Sequence, residues 1–447
     1  MKVAVIGAGW AGCAAAVEAT RLGHSATLFD SARVAGGRAR RVDSSLDGQP
    51  LALDNGQHIL IGAYTETLRL MQTLGVDPAS NLLRLPLRLQ FPGGEGLAFP
   101  PAAVLAAWPG GPRWPAALQA AWGIARARGW TWGDKASLLK LALRWRAGGF
   151  VCAPGLSVAA LCADLSPRAM RELVEPLCVS ALNTPADRAC AQVFLRVMQD
   201  ALFSQSGGAD LLLPRVDLSA LLPDAALAWL GERGPAPRLG ARVQALTRQG
   251  PGWQLSVSGS VDAKESQSEC FDAVLLACPP QEAARLTAGT GSSADWAAQA
   301  TGLQHEPIAT VYARLVSPQA QSKTLPQPML ALHSDAKAPA QFVFDRGQLG
   351  GPTGLLAFVV SASVGDKALI SAQVLAQGRA QLGLQLELVQ TIVEKRATFA
   401  CTPGLQRPAA LIAPGLLACG DYVAGPYPAT LEGAVRSGLH AARLLAA

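Results

Sequence analysis

The sequence predicts an α/β protein, α+β overall, in which a domain with a parallel sheet is interrupted by a second domain of helices and a mixed sheet. Near each end of the chain, an apolar strand runs into glycine and then into a helix, at residues 1–40 and 416–438. Residues 82–205 instead carry apolar positions three and four apart, which is typical of helices. The length of 447 residues, half of them hydrophobic, allows two or three domains with large cores.

The first strand–turn–helix unit has the glycine spacing GxGxxG at residues 7–12, and its second strand ends at Asp30. Gly7 permits a tight turn, Gly9 lets backbone N–H groups approach a pyrophosphate, and Gly12 allows helix and strand to pack closely. Ala11 lies at the start of the helix, whose free N–H groups attract anions. Asp30 is placed to accept hydrogen bonds from a ribose. The unit predicts a Rossmann-type dinucleotide site; a glycine turn in an ordinary α/β core is the alternative.

The residues after Asp30 indicate which dinucleotide binds. Gly36, Gly37 and Arg38 form the GGR signature that the FAD-dependent amine oxidase and carotenoid desaturase superfamily has at this place. Glycines let the loop run flush against a flavin nucleotide, and the arginine can neutralise phosphate. The resemblance favours FAD over NAD as the cofactor.

The second unit, near residue 420, completes the predicted FAD site. Asp421 follows a strand and Gly420, where a carboxylate can hydrogen-bond a ribityl chain. Thr430 and Leu431 begin the next helix, whose N-terminus can place positive potential near the flavin ring. In the resembled superfamily, Val243 is the expected backbone contact of adenine.

A glycine segment at residues 51–60 is expected to lie against the flavin ring in the same superfamily. It contributes Gly56 and Gln57 to the predicted cofactor site. His58 is a candidate proton donor near the ring, and an orienting or core histidine is the alternative.

Composition excludes several classes of function. The net charge of +6 comes without any run of Lys and Arg, so no nucleic-acid partner is expected. The nine cysteines contain no CxxC pair, which predicts no metal site and reduced thiols in a cytoplasmic protein. No uninterrupted apolar run is long enough to span a membrane.

Tryptophans cluster with cations between residues 108 and 146. Six of the ten tryptophans fall there, interleaved with arginines and lysines. This mixture suits peripheral contact with the inner face of the cytoplasmic membrane, or the mouth of a pocket for an apolar substrate. An aromatic-rich helical core under a basic surface is the alternative.

The changes of pattern divide the chain into two discontinuous domains. Residues 1–81, 206–295 and 397–447 are predicted to form the FAD-binding domain, and residues 82–205 and 296–396 the substrate-binding domain. This is an amine-oxidase-like organisation.

Four further segments carry a closer resemblance: residues 54–64, 181–185, 211–219 and 420–434. With the FAD motifs, they resemble the squalene-associated FAD-dependent desaturase family, whose members are hydroxysqualene dehydroxylases of bacterial hopanoid pathways. The resemblance implies an apolar C30 isoprenoid substrate, hydride transfer from reduced FAD to an allylic cation, and contact with upstream enzymes of squalene biosynthesis.

The acid that protonates the departing oxygen is expected to be His58 or Tyr427; a packing tyrosine in a Pro-Tyr-Pro turn is the alternative for the latter. Three other functions remain open on the same fold. They are a carotenoid (phytoene-type) desaturase, an amine oxidase, and a non-enzymatic isoprenoid-binding protein similar to GDP-dissociation inhibitors.

Overall fold

The computed structural model describes residues 1–99, 116–204, 207–258, 267–288, 294–316 and 324–445. Its strands, in chain order, are β1 Lys2–Ile6, β2 Ser25–Asp30, β3 Arg41–Leu46, β4 Gln49–Asp54, β5 Leu60–Ile61, β6 Leu82–Leu85, β7 Arg88–Gln90, β8 Gly96–Ala98, β9 Leu211–Pro214, β10 Arg238–Leu239, β11 Arg242–Gln249, β12 Gly252–Ser258, β13 Gln267–Phe271, β14 Ala273–Leu276, β15 His305–Leu315, β16 Met329–Ala331, β17 Phe342–Asp345, β18 Leu355–Ser361, β19 Leu386–Phe399, β20 Leu411–Ala413 and β21 Leu416–Ala418. Its helices are α1 Trp10–Arg21, α2 Thr65–Thr73, α3 Pro78–Asn81, α4 Ala116–Ala125, α5 Trp132–Ala147, α6 Val158–Leu161, α7 Pro167–Ala169, α8 Glu175–Leu182, α9 Ala191–Gln199, α10 Leu218–Leu221, α11 Pro223–Arg233, α12 Pro280–Thr287, α13 Ala294–Thr301, α14 Lys367–Leu382 and α15 Leu431–Leu444.

A six-stranded sheet in the order β10-β2-β1-β14-β21-β20 carries the first and last strand–helix units. All neighbours from β10 to β21 run parallel, and only the edge strand β20 is antiparallel. Strand β1 lies between β2 and β14, and its residues Val3 to Ile6 are buried. A parallel sheet needs cover on both faces, which explains why these strands are continuous apolar runs. The prediction of a Rossmann-type sheet is confirmed.

Helices α1 and α15 pack on each other over one face of this sheet. Their contact is very close, because a Cβ atom on Gly438 would lie 2.2 Å from the carbonyl oxygen of Ala11. Small side chains along α1 permit this approach, and residues 10 to 19 of the helix are all buried. The two ends of the chain thus share one core.

The second sheet has five strands in the order β16-β17-β18-β15-β19. Each neighbouring pair is antiparallel, where a mixed sheet was predicted. Antiparallel neighbours need no helical crossover, and one face of the sheet packs on α14 while the other faces a cavity.

The segment 116–204 is helical, as expected, and it contains two π-helical turns, Met170–Val174 and Asp200–Ser204. Residues 82–98 form the strands β6, β7 and β8 instead of helix. Strand β6, predicted to belong to the substrate-binding domain, pairs with β9 of the predicted FAD-binding domain. Strand β19 continues past residue 396, where the substrate-binding domain was predicted to end. The exact domain limits stay a prediction. Within the described ranges, no helix is both long and apolar enough to cross a bilayer.

Candidate functional site

One cavity of about 810 Å³ lies along the carboxyl edge of the parallel sheet and continues under the five-stranded sheet. Strands β1, β2, β14 and β21 all end at it, so their following loops form its wall. Ligands of open α/β sheets bind at this edge, where the loops diverge. The location agrees with the site that the two glycine-led units predict.

The GxGxxG loop shapes the first part of the cavity. A Cβ atom on Gly7, which has φ +113°, would lie 2.5 Å from the Ala277 carbonyl oxygen, and one on Gly12 would lie 1.8 Å from the Gly7 oxygen. These two glycines therefore serve close packing. A Cβ atom on Gly9 would approach no protein atom closer than 4.0 Å, and Gly9 lines the cavity. The space beside Gly9 suits a ligand that approaches the backbone.

Helix α1 begins at Gly9 without any side-chain cap. The backbone N–H groups of its first turn therefore find no intrahelical acceptor, and Ala11 lies in this turn at the cavity wall. Free N–H groups at a helix N-terminus bind phosphate readily.

Asp30 ends strand β2 and holds the neighbouring loops. Its Oδ2 accepts a hydrogen bond from the Ala8 N–H at 2.6 Å, and its Oδ1 accepts one from the Ala32 N–H at 2.8 Å. Each carboxylate oxygen can accept a further hydrogen bond, as a ribose contact requires, and Asp30 lines the cavity. Val243 lines the same end of the cavity.

Arg38 joins the first and last parts of the chain. Its Nη2 lies 2.5 Å from Oδ1 of Asp421, and its Nη1 donates a hydrogen bond to the Ala397 carbonyl oxygen at 2.6 Å. The loop of Gly37 lies against the GxGxxG loop, since the Gly36 N–H donates to the Ala8 oxygen at 2.8 Å. The arrangement puts a paired cation and carboxylate in the cavity wall.

The segment of Gly56 and Gln57 is fixed by a residue that the motifs do not contain. Arg346 donates from Nη1 to Oε1 of Gln57 at 3.0 Å, and both side chains are buried. The Gln57 backbone N–H also donates to Oγ1 of Thr310 at 3.4 Å. Arg346 lies 289 residues further along the chain, so no local sequence signal could connect the two.

His58 is held as a neutral imidazole. Its Nδ1 lies 2.7 Å from the Gly56 carbonyl oxygen, which can only accept, so Nδ1 carries the proton. Burial lowers the pKa of His58, and the charge of Arg38 lowers it further, against the opposing hydrogen bond to Gly56. The remaining Nε2 is then an acceptor and has no proton to give.

Tyr427 lies between two arginines at the cavity wall. The guanidinium carbons of Arg196 and Arg436 are 5.5 Å and 4.7 Å from its ring centroid. Burial raises the pKa of Tyr427, and a hydrogen bond to Asp200 raises it further. Its hydroxyl is therefore protonated at neutral pH. Arg196 and Asp200 were missed by sequence reasoning, because they lie at the end of α9 in an ordinary helical pattern.

Tyr422 has a buried hydroxyl group with no hydrogen-bond partner in the described part of the chain. The residue lines the cavity beside Gly420, whose N–H donates to Oγ of Ser437 at 3.1 Å. An unpartnered polar atom is costly in a protein interior unless a ligand or water completes it. The site therefore suits a ligand with polar atoms at this point.

Helix α15, which follows this loop, is capped by the residue just before it. Thr430 accepts a hydrogen bond from the Gly433 N–H at 2.9 Å, and Thr430 and Leu431 both line the cavity. Glu432 points away from the cavity into the protein. Its carboxylate accepts hydrogen bonds from the N–H groups of Glu66 and Thr67 and pairs with Arg436 at 2.6 Å. Glu432 thus fixes α15 to the start of α2.

One part of the cavity is an apolar chamber between the helical segment and the five-stranded sheet. Most of its wall is aliphatic or aromatic, with Leu87, Leu177, Val197, Met198, Leu202, Ile308, Phe342, Phe344 and Val359. Asn183, at the end of α8, stabilises the wall through hydrogen bonds to the Glu306 and Ala362 backbones and to Thr398. Its φ of +46° shows that a left-handed residue ends the helix there.

The structure brings nearly all of the predicted site residues to this one cavity. Only Gly12 is absent from the wall, because it lies in the packing contact behind the loop. Their individual roles stay predictions.

Comparisons with known proteins agree with this geometry. The model of the family described as flavin containing amine oxidoreductase matches residues 10–446. A hydroxysqualene dehydroxylase of Rhodopseudomonas palustris is 28% identical over 465 residues, covering 100% of this chain and 98% of that protein. A zeta-carotene desaturase of Zea mays is 41% identical over 83 residues, 19% of this chain and 14% of that protein. The solved cyclohexylamine oxidase of Brevibacterium oxydans has a TM-score of 0.70 at 14% identity, covering 100% of this chain and 98% of that chain, and shares the fold.

Proposed function

The chain belongs to the flavin containing amine oxidoreductase family, and we propose that it removes the hydroxyl group of hydroxysqualene by reduction, giving squalene. It is an oxidoreductase with FAD as cofactor. The relative of that name matches over the full length of the chain, which supports the proposal. The structural observation that carries it is the apolar chamber, which opens into the nucleotide groove as part of one cavity.

The residues of the groove fit FAD. The space beside Gly9 admits a pyrophosphate, and the uncapped start of α1 offers it N–H donors. Arg38 can neutralise phosphate, and Asp421 can accept hydrogen bonds from a ribityl chain. The unpartnered Tyr422 hydroxyl lies in the same wall and can bond a polar atom of the cofactor.

The proposed reaction needs a proton, a hydride and a dry site. The substrate C–O bond breaks when its oxygen takes a proton and leaves as water, so an allylic cation remains on the substrate. Reduced FAD, when bound, supplies the hydride for the new C–H bond and is reduced again by an external donor. The chamber excludes water from the cation and orients the C30 chain.

Tyr427 is the proton donor that the geometry favours. Its hydroxyl keeps its proton at neutral pH, and the residue lines the cavity that groove and chamber share. His58 fits an orienting role better, since its Nε2 carries no proton and its Nδ1 proton is bonded to a carbonyl oxygen, whereas the Tyr427 hydroxyl is bonded to Asp200, a carboxyl group that can exchange protons. We propose that Asp200 returns a proton to Tyr427 from solvent after each turnover.

A decisive experiment is product analysis after anaerobic incubation of dithionite-reduced protein with hydroxysqualene. Squalene is the expected product. Tyr427→Phe should lower its rate of formation by about a hundredfold or more, because a positioned acid contributes on that scale. His58→Gln is the comparison variant and should keep most of the rate, while the flavin absorption spectrum confirms that both variants bind FAD. Recovery of unchanged hydroxysqualene from the FAD-loaded wild-type protein would contradict the proposal.

A carotenoid desaturase is the second candidate. The short match to zeta-carotene desaturase favours it, and the chamber also suits a long polyene. That reaction runs in the oxidative direction, so incubation of oxidised protein with phytoene or ζ-carotene separates the two functions. An amine oxidase would instead release an aldehyde and peroxide from an amine.

Two partner proposals accompany this function. The substrate would be received from upstream enzymes of squalene biosynthesis, and the protein would work at the inner face of the cytoplasmic membrane. Co-purification with those enzymes checks the first proposal.

A further inference from the structure

Helix α5 carries two opposite, largely apolar stripes, and the described part of the chain covers one of them. The inner face consists of Asp134, Leu138, Leu141 and Trp145, which are all buried. The α5 outer face consists of Trp132, Ala136, Leu139 and Leu143, which are all exposed. Both sets follow the spacing four, three, four, so each forms one stripe along the helix.

The two stripes point away from each other. With about 100° of rotation per residue, their centres lie roughly 200° apart around the helix. The indole of Trp132 is 79% exposed and the Leu143 side chain 57% exposed. A surface helix of a water-soluble protein normally carries polar side chains on this face. Among the residues that the structure describes, none covers the α5 outer face.

Cations flank this face on both sides. By the same rotation, Lys135 and Arg146 lie along one edge of the stripe, and Lys140 and Arg144 lie along the other. Residues 116–153 contain six Lys or Arg and one acid, Asp134, giving 6 − 1 = +5. Asp134 lies in the capping box with Thr131 on the inner face, so the only acid of this segment is not on the α5 outer face.

The individual contacts leave most of this charge available to a partner. Lys140 and Arg146 form no ion pair within the described ranges, and Lys135 lies over the Trp132 ring at 5.0 Å. Arg144 pairs with Asp164 at 2.9 Å, but both side chains are more than half exposed. An exposed pair of this kind is weak and can exchange for another anion.

A tryptophan at one end of an apolar stripe with cations along both edges matches the chemistry of an anionic membrane surface. The apolar stripe can enter the acyl boundary, the indole can lie at the headgroup level, and the cations can reach lipid phosphates. A protein partner would instead need an acidic rim of complementary shape around an apolar ridge.

We propose that the α5 outer face docks the protein onto a bilayer that contains anionic lipids. The face is fixed to the rest of the molecule, since Trp130 Nε1 donates to Glu172 at 2.7 Å and Lys135 Nζ donates to the Ala125 oxygen at 2.8 Å. Helix α4 packs between α5 and the π-helical turn 200–204, part of which lines the apolar chamber. Docking therefore brings the outer wall of the chamber to the membrane. This docking proposal is argued from the α5 outer face alone, so it does not depend on which substrate the protein converts.

Vesicle sedimentation tests the proposal with the full FAD-loaded chain. Wild-type protein should sediment with vesicles of phosphatidylcholine and phosphatidylglycerol and bind vesicles of phosphatidylcholine alone about tenfold more weakly. Leu139→Ser with Leu143→Ser should lower binding to anionic vesicles by about tenfold or more, because two apolar side chains no longer enter the lipid. Lys140→Glu with Arg146→Glu should abolish the preference for anionic lipid.

Matched variants elsewhere on the surface provide the controls. Val364→Ser removes an exposed apolar side chain, and Lys337→Glu with Lys367→Glu reverses two exposed charges; both should bind vesicles like the wild type. Thermal unfolding and the flavin spectrum establish that every variant is folded. The proposal is overturned if wild-type protein stays in the supernatant, or if the α5 variants bind as it does. It is also overturned if the α5 variants convert a dimer to a monomer in the absence of lipid.

Discussion

Asp54 is a buried carboxyl group that the proposed chemistry does not use. Its Oδ1 accepts a hydrogen bond from the Leu218 N–H at 2.8 Å, and the Tyr312 hydroxyl donates to its backbone oxygen at 3.0 Å. Burial raises the pKa of Asp54 to about 6, although the Leu218 hydrogen bond and the charge of Arg346 oppose the shift. Asp54 thus connects the segment of Gly56 and Gln57 to α10, and burying its charged form lowers the stability of the fold.

This shift predicts how Asp54 affects stability with pH. Between pH 4 and 6 the folded state holds this proton more tightly than the unfolded state, so the contribution of Asp54 to the free energy of unfolding falls as pH rises. Asp54→Asn keeps the oxygen that accepts from Leu218 and removes the ionisation. The free energy of unfolding of Asp54→Asn, measured relative to that of wild type, should therefore rise by about 2 to 3 kcal/mol between pH 4 and pH 7.

Urea denaturation at both pH values measures this difference. The control is Asp43→Asn, which removes an exposed carboxyl group and should show little change with pH. If the free energies of unfolding of wild type and Asp54→Asn differ by the same amount at pH 4 and pH 7, the pKa of Asp54 is not raised in the folded protein.

At the scale of elements, the crossing of α1 and α15 positions the two halves of the cofactor groove. Helix α1 begins at the turn proposed to bind phosphate, and α15 begins at Leu431, next to its N-cap Thr430; both helix starts line the cavity. The helices can approach closely because Gly438 has no side chain at the point where it meets Ala11 and Ala15. A wider crossing would move one wall of the groove relative to the other.

Gly438→Ala should therefore destabilise the protein although alanine favours helix. A Cβ atom 2.2 Å from the Ala11 oxygen forces the helices apart, which should lower the free energy of unfolding by about 1 to 3 kcal/mol. Gly231→Ala is the control, since a Cβ atom there meets no atom within 4 Å in helix α11. Denaturant titration of both variants checks the effect. An unchanged or increased stability of Gly438→Ala would show that the helices do not cross this closely.

At the scale of the whole molecule, the first and last strand–helix units of the chain line the same cavity. FAD bound there should contact both units and so stabilise the folded state. A ligand at a hundred times its dissociation constant adds about 2.7 kcal/mol to the free energy of unfolding. Gly9→Ala should lose at least half of this gain, because the methyl group would occupy the space proposed for the pyrophosphate, while within the protein it meets the Gly37 Cα atom at an unstrained 4.0 Å.

Thermal unfolding with and without FAD measures this prediction for wild type and Gly9→Ala. Without FAD, the two proteins should differ by less than about 1 kcal/mol, since Gly9 has an ordinary φ of −74°. Equal stabilisation of both by FAD would place the pyrophosphate elsewhere.

Short motifs predicted which residues lie together. The glycine at the end of a strand and the acid after it are local signals, so the sequence predicts that Gly9, Asp30 and Asp421 share one groove, and all three line the cavity. The interpretation failed to include Arg346 and Asp200, because their contacts to Gln57 and Tyr427 arise only from the packing of distant segments.

The same limit applies to the elements. Strand β19 was not predicted, since its half-exposed residues alternate too irregularly to distinguish strand from loop. The strands at residues 82–98 were missed because they are only three or four residues long. Tryptophan and cation content identified the 108–146 region as unusual, but only the burial pattern separates the two faces of α5. Trp108 and Trp114 lie outside the described residues.

The position of β21 between β14 and β20 affects how the chain folds during its synthesis on the ribosome. Strands β1 and β2 emerge early, but β14 and β21, the next two positions of the sheet, follow after about 270 and 415 residues. Helix α1 likewise stays uncovered on one side until α15 has been synthesised. Until the last elements are synthesised, the incomplete nucleotide-binding sheet exposes apolar surface that can aggregate. We therefore expect the nascent chain to depend on chaperones during that interval.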